Sequence, residues 1–117
     1  MIKKIVKYKD FNGNDVEECL YFNLNEVERT KLQVSRTGGL SQHIKEVVKS
    51  GDEQEMIALF DTVILESYGI KSEDGKRFIK NAAIKEEFQQ SPAYEKIFMM
   101  IATNKEEAEA FVKGIIA

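Results

Sequence analysis

Gly69-Ile70-Lys71-Ser72-Glu73-Asp74-Gly75-Lys76-Arg77 has the residue types of a phosphate cradle, two glycines and a Gly-Lys ending. Such a loop captures a polyphosphate with successive backbone N–H groups, a lysine on the outer phosphates and a hydroxyl on Mg²⁺. The spacing excludes that chemistry here. A P-loop has four residues between its glycines; this stretch has five. Arg77 stands where the hydroxyl should follow the lysine. Glu73 and Asp74 put two carboxylates where phosphates would sit, at a Coulomb cost. The residues before Gly69 have a helical pattern, whereas a P-loop follows a strand. No nucleotide and no cofactor is expected.

The other reactive side chains are sparse. His43 is the single histidine, and Ser41 lies two residues away. Residues two apart on a helix do not face each other, so the pair makes no nucleophile and base. Gly38-Gly39-Leu40-Ser41 is expected to be a helix break and restart, with His43 on an exposed helix face. Cys19 has no nearby histidine or helix start to activate its thiol, and is expected to be a small packing residue. One His and one Cys cannot make a structural zinc site. Glu86-Glu87 and Glu106-Glu107 lack the alternating spacing of a calcium loop and fit solvated helix faces. No catalytic residue and no metal ligand is assigned.

Met99 is different in kind. It falls beside the stripe Tyr94, Ile97, Phe98, Ile101, whereas Met100 fits as core filler. Methionine on a surface suits varied partners because it repacks cheaply. The ending Gly114-Ile115-Ile116-Ala117 is too apolar for a frayed tail. Either it packs back or it meets a partner; on the second reading Met99, Phe111, Ile115 and Ile116 form part of a partner-binding or self-association surface.

The elements that position these side chains follow from pattern. The 117 residues suit one domain, 43% hydrophobic and 32% charged, with net charge -3. The charge argues against general nucleic-acid binding, and no apolar run is long enough for a membrane span. One cysteine allows no internal disulfide. Residues 2–9 and 15–22 form an expected β-hairpin around Asp10-Phe11-Asn12-Gly13, a type I turn with a G1 bulge. That turn sets Lys9 opposite Asp15 and Lys7 opposite Glu17 on one face, and Tyr8 opposite Val16 and Ile2 opposite Phe22 on the other. It also puts Cys19 beside Ile5 on the charged face.

Helices are expected over 24–35, capped by Asn23 with Glu26; over 40–50, ended by Gly51; and over 53–68, capped by Asp52 with Glu55. The third is apolar on most sides and is expected at the centre, stopped by Gly69 with Ile70 packing behind it. Residues 70–80 form a polar connector with strand or turn character near Arg77-Phe78-Ile79. Asn81 caps 82–90, Ser91-Pro92 opens a helix to Ala102, and Thr103 with Glu106 caps 104–115. The expected fold is α+β, one domain over 1–117. A hairpin (1–23) docks on a mainly helical bundle of five to six helices, three in 24–69 and the rest in 81–117.

Several strings resemble small tail assembly chaperones of long-tailed phages and prophages of Gram-positive bacteria. They are Tyr21-Phe22-Asn23-Leu24-Asn25-Glu26, Gly38-Gly39-Leu40-Ser41, Ser67-Tyr68-Gly69 with Ser72 to Lys80, and Ala110 to Ile116, in the same order through nearly the whole chain. The resemblance implies a non-enzymatic protein of the host cytoplasm, absent from the finished virion. It implies binding to the tape measure protein while the tail tube assembles. Further implied partners are the major tail protein, a frameshifted longer form of this chain, and other copies of itself. A small phage regulatory protein that inhibits a host protein is the alternative, and a small hydrolase a third reading.

Overall fold

The computed structural model describes residues 1–34 and 39–116, without the side chains of 33, 34, 39–41, 48 and 116. Gly38 and Ser35 therefore lie outside the described residues, as do the side chains of Ser41 and Ile116. Strands β1 (Ile2–Lys9) and β2 (Asp15–Phe22) open the chain. Helices α1 (Glu26–Val34), α2 (Gly39–Ser50) and α3 (Glu53–Ser67) follow. Strands β3 (Tyr68–Lys71) and β4 (Phe78–Ile79) come next. Helices α4 (Ala82–Gln89), α5 (Pro92–Thr103) and α6 (Lys105–Ile116) complete the fold. The result is α+β, a hairpin on a helical bundle as expected, but the hairpin is half of a larger sheet. The strand order is β1-β2-β3-β4, all antiparallel.

The hairpin register is the one its turn dictates, with Ile2 opposite Phe22, Lys7 opposite Glu17 and Lys9 opposite Asp15. Asp10 does most of the positioning. Its N–H donates to Asn14 O at 2.9 Å and its carbonyl accepts from Gly13 N–H at 3.0 Å. Its Oδ1 accepts from the N–H groups of Asn12 and Asn14, both at 2.9 Å. Gly13 takes φ +84°, the left-handed conformation that glycine adopts without cost.

Two expected caps move. The α1 capping box is Asn25 with Glu28: Glu28 N–H donates to Asn25 Oδ1 at 2.8 Å and Asn25 N–H to Glu28 Oε1 at 3.1 Å. Asn23 instead extends β2, its N–H donating to Ser67 O at 2.7 Å. At α6 the cap is Asn104, whose Oδ1 accepts from Glu107 N–H at 3.2 Å. Thr103 Oγ1 turns back to Met99 O. Asp52, Asn81 and Ser91 cap α3, α4 and α5 as expected, while Glu55 does not return the Asp52 bond but accepts from Ser50 Oγ at 3.4 Å. Gly51, at φ +68°, follows α2.

Gly69 is a larger correction. It does not stop α3. The helix ends at Ser67, and Tyr68 is already extended at φ -65°, ψ 141°. Gly69 is a buried strand residue opposite Tyr21. Ile70 is 45% exposed and opposite Ile79, so the expected contact behind a helix cap is absent. Tertiary pairing with β2 extends the chain one residue after the helix.

The core lies between the inner sheet face and the helices. α4, α5 and α6 meet the strands, α3 packs on α5 and α6, and α1 and α2 extend the bundle through α3. Phe22 has no exposure and sits at the hub. Its ring meets Phe111 at 5.1 Å and Phe88 at 6.1 Å, both edge-on, while Tyr68 stacks on Phe88 at 3.8 Å. Such pairs add about 0.5–1.5 kcal/mol each beyond their area. α3 is buried only from Leu59 onward. Leu59, Val63 and Ile64 are buried, but Ile57 near its start is 49% exposed.

Candidate interaction surfaces

The Gly69–Arg77 stretch is a β-hairpin whose turn has used its own donors. Gly75 N–H donates to Ser72 O at 2.9 Å, Lys76 N–H to Asp74 Oδ1 at 3.0 Å, and Arg77 N–H to Ser72 Oγ at 3.0 Å. Ser72 Oγ in turn donates to Asp74 Oδ1 at 2.7 Å. These bonds hold the Asp74 carboxyl below its usual range, first through Ser72 and then through Lys76 N–H. A carboxylate occupies the cradle that a phosphate would need.

The other chemistry-bearing residues stay apart. His43 is half-buried on α2, not exposed. Cys19 is half-buried opposite Ile5. It lies beside Tyr21, whose phenol is raised above its usual value chiefly by a hydrogen bond with Cys19. Among the described residues no group of three His, Cys, Asp or Glu is placed to hold a metal. None of their helices is long and apolar enough to cross a membrane.

Two buried-edge polar contacts shape the inner surface. Tyr8 Oη donates to Glu18 Oε2 at 2.5 Å, which with burial pushes the phenol up to about 12. Tyr94 Oη donates to Asp61, joining α5 to α3; burial first, then this bond, raises its phenol. Lys4 reaches Glu107 of α6 at 3.1 Å.

Lys80 is the main polar junction, and sequence reasoning left it in a connector. Its Nζ donates to Asn23 O at 2.6 Å, Glu28 Oε2 at 2.7 Å and Glu66 O at 2.8 Å. One ammonium thus ties the end of β2, the start of α1 and the end of α3 to the segment after β4. Beside it lies a cleft of about 450 Å³, walled by Leu65, Tyr68 and Ile84 and crossed by a Lys85–Glu66 pair at 3.1 Å. Both of its lysines are paired within the chain, Lys80 with Glu28 and Lys85 with Glu66, and Glu86 is the further carboxylate on its wall.

The expected partner residues separate. Met99 is 50% exposed on α5, on the surface as its position off the stripe implied. Phe111 and Ile115 are each 2% exposed and belong to the core, so neither is a free surface residue. Phe111 packs on Phe22, and the face of α6 that bears Ile115 closes the bundle. The Ile116 side chain is outside the described residues. Other large apolar side chains stand out more than Met99: Phe11 is 88%, Val27 61% and Ile5 59% exposed. Phe11 had a signal, an aromatic at the second position of a turn where polar residues are the rule.

The outer sheet face bears no helix on Lys3, Ile5, Lys7 or Lys9, all exposed. Across it run Cys19, Tyr21, Lys71 and Phe78, with Lys71 Nζ 5.4 Å from the Tyr21 ring centre. The outer face is thus charged, with Ile5 an exposed apolar side chain among its lysines. No curated protein and no solved structure matches the chain. The family model described as phage tail assembly chaperone matches residues 1–117, and the chain belongs to that family.

Proposed function

We propose that the protein binds the tape measure protein of a long-tailed phage and keeps it soluble in the host cytoplasm while the tail tube assembles. The reading rests on family membership. The observation that carries it further is the set of large apolar side chains held in solvent, Phe11, Val27, Ile57 and Met99, on a scaffold with net charge -3. An aggregation-prone client is masked by such contacts, and the charge keeps the complex dispersed. No bond-making step is assigned to the protein. Its further partners on this reading are the major tail protein and a frameshifted longer form of the chain.

The experiment is co-expression with the tape measure protein of the same phage, scored by client solubility and co-purification. A soluble co-purifying complex is the expected result. Met99→Asp, at an exposed site, should weaken it about tenfold or more with the fold intact. A client that stays insoluble and unbound overturns the proposal.

A further inference from the structure

β1 is the end strand of the sheet, paired with β2 alone. Antiparallel ladders alternate between residues bonded to the neighbour and residues that face away. The Asp10–Asn14 bond sets the phase. Counting back from it, residues 8, 6, 4 and 2 bond to β2. The N–H and C=O groups of Lys3, Ile5, Lys7 and Lys9 point to the free edge. Among the described residues no strand lies there.

These four residues also have their side chains on the open outer face. Lys9 has a long, exposed contact with Asp15 at 3.4 Å, while among the described residues Lys3 and Lys7 have no anionic partner. The distal half of the strand borders a groove of about 500 Å³ lined by Lys7, Lys9, Asp15 and Glu17, to which α5 adds Lys96, likewise without an ion pair among the described residues. The edge thus combines unpaired backbone groups with an excess of positive charge, Lys3, Lys7, Lys9 and Lys96 against Asp15 and Glu17, on a protein that is acidic overall.

We propose that the β1 edge accepts an extended acidic segment of a partner protein by strand addition. Backbone bonds to Lys3, Ile5, Lys7 and Lys9 supply the pairing, and alternate side chains supply the selection. An antiparallel guest places acidic residues beside Lys9 and Lys7, an apolar one beside Ile5, and an acidic one beside Lys3. Opposite charges side by side stabilise such pairs and like charges destabilise them.

Lysines on an edge strand ordinarily prevent edge-to-edge association. Here they do so selectively. A second copy is the wrong guest. Twofold pairing centred on Ile5 sets Lys3 against Lys7, pairing centred on Val6 sets Lys3 against Lys9, and pairing centred on Lys7 sets that lysine against itself. The same charges that repel a copy or a basic strand attract an acidic one. This inference does not depend on the tape measure reading, because it concerns a different surface and is tested without that client.

The probe is the synthetic peptide Glu-Val-Glu-Val-Val-Val-Glu, compared with its Lys-for-Glu counterpart and with a form N-methylated at alternate residues. The readout is amide hydrogen exchange of Lys3, Ile5, Lys7 and Lys9 in the full chain. The Glu peptide should slow exchange at these four amides at least tenfold, with weaker binding as salt rises. The Lys peptide and the N-methylated peptide should leave them unchanged. Lys3→Glu with Lys7→Glu, both exposed, should reverse the preference in favour of the Lys peptide. Binding of the Glu peptide without protection of these amides shows surface ion pairing only and overturns the proposal. Equal binding of both peptides, no binding, or protection that grows with protein concentration alone overturns it as well.

Discussion

The Phe78 ring fills the space in which a side chain at Gly69 would stand. A Cβ built on Gly69 would lie 2.5 Å from Phe78 Cε2 and 2.9 Å from Cδ2 and Cζ. Glycine weakens a strand because it has nothing to pack, and an aromatic on the neighbouring strand restores the lost cover. Phe78 sits opposite Lys71, diagonal to Gly69, and Lys80 Nζ lies 5.6 Å from its ring centre. Gly69→Ala should therefore destabilise the protein by about 1–3 kcal/mol, as overpacking does. The Gly69→Ala, Phe78→Ala double variant should recover part of that loss. Urea denaturation of the four proteins measures the coupling; strict additivity would contradict the contact.

Lys80 should matter more than any surface lysine. Lys80→Met removes the donor from two carbonyls and a carboxylate in a partly buried junction. The expected loss is about 2–4 kcal/mol, since acceptors are left unpaired as well as a bond removed. Lys85→Met breaks a pair whose side chains are 41% and 47% exposed, and should cost less than about 1 kcal/mol. Equal effects of the two, measured by thermal and chemical denaturation, would contradict the assignment of Lys80 as a junction.

The shifted helix caps give a direct contrast. Asn25→Ala and Asn104→Ala should each cost about 1 kcal/mol, the typical value of an N-cap. Asn23→Ala should cost little through capping, because its backbone and not its side chain makes the bonds to Ser67 and Lys80. Midpoints of denaturation for the three variants settle the ranking.

The alkaline behaviour should be unusual, because all four tyrosines have phenols raised above 10. The causes are a hydrogen bond to Glu18 for Tyr8, a bond with Cys19 for Tyr21, and burial for Tyr68 and Tyr94. A raised folded value means that the neutral phenol favours the folded state. That contribution is complete below pH 10, the unfolded value, and is lost as pH rises through the folded value, about 12 for Tyr8. Phenolate absorbance of the folded protein at pH 10 should thus be well under half of the total. Tyr8→Phe should leave the lower part of that titration unchanged and remove amplitude near its upper end.

Where local chemistry decides, the sequence was legible. The hairpin register followed from Asp10, Asn12 and Gly13 because a turn type fixes which residues pair. The caps of α4 and α5 followed from Asn81 and Ser91-Pro92 for the same reason. The α1 cap was misplaced because two frames compete, Asn23 with Glu26 and Asn25 with Glu28. Burial of Leu24 and the bond from Asn23 to Ser67, a partner far along the chain, choose between them. Gly69 misled for a similar reason: a glycine after an apolar helix is a stop signal unless a distant strand claims it. Phe111 and Ile115 show a different limit. An amphipathic stripe has the same pattern whether it closes its own core or faces a partner.

The bond from Asn23 to Ser67 joins β2 to β3 across three helices of intervening chain. The consequence lies in the order of folding. β1 with β2, and β3 with β4, close through short turns and form in about 1–10 μs as isolated events. The seam between them must wait until the intervening segment has looped back, and non-local pairing of this kind slows folding. Until the seam closes, β2 presents a second bare edge that includes Phe22, later the most protected ring of the core. During synthesis the amino-terminal hairpin emerges before the strand that will cover it. For that interval this chaperone is itself an aggregation-prone chain, shielded by the lysines of its first strand and by Asp15, Glu17 and Glu18 of its second.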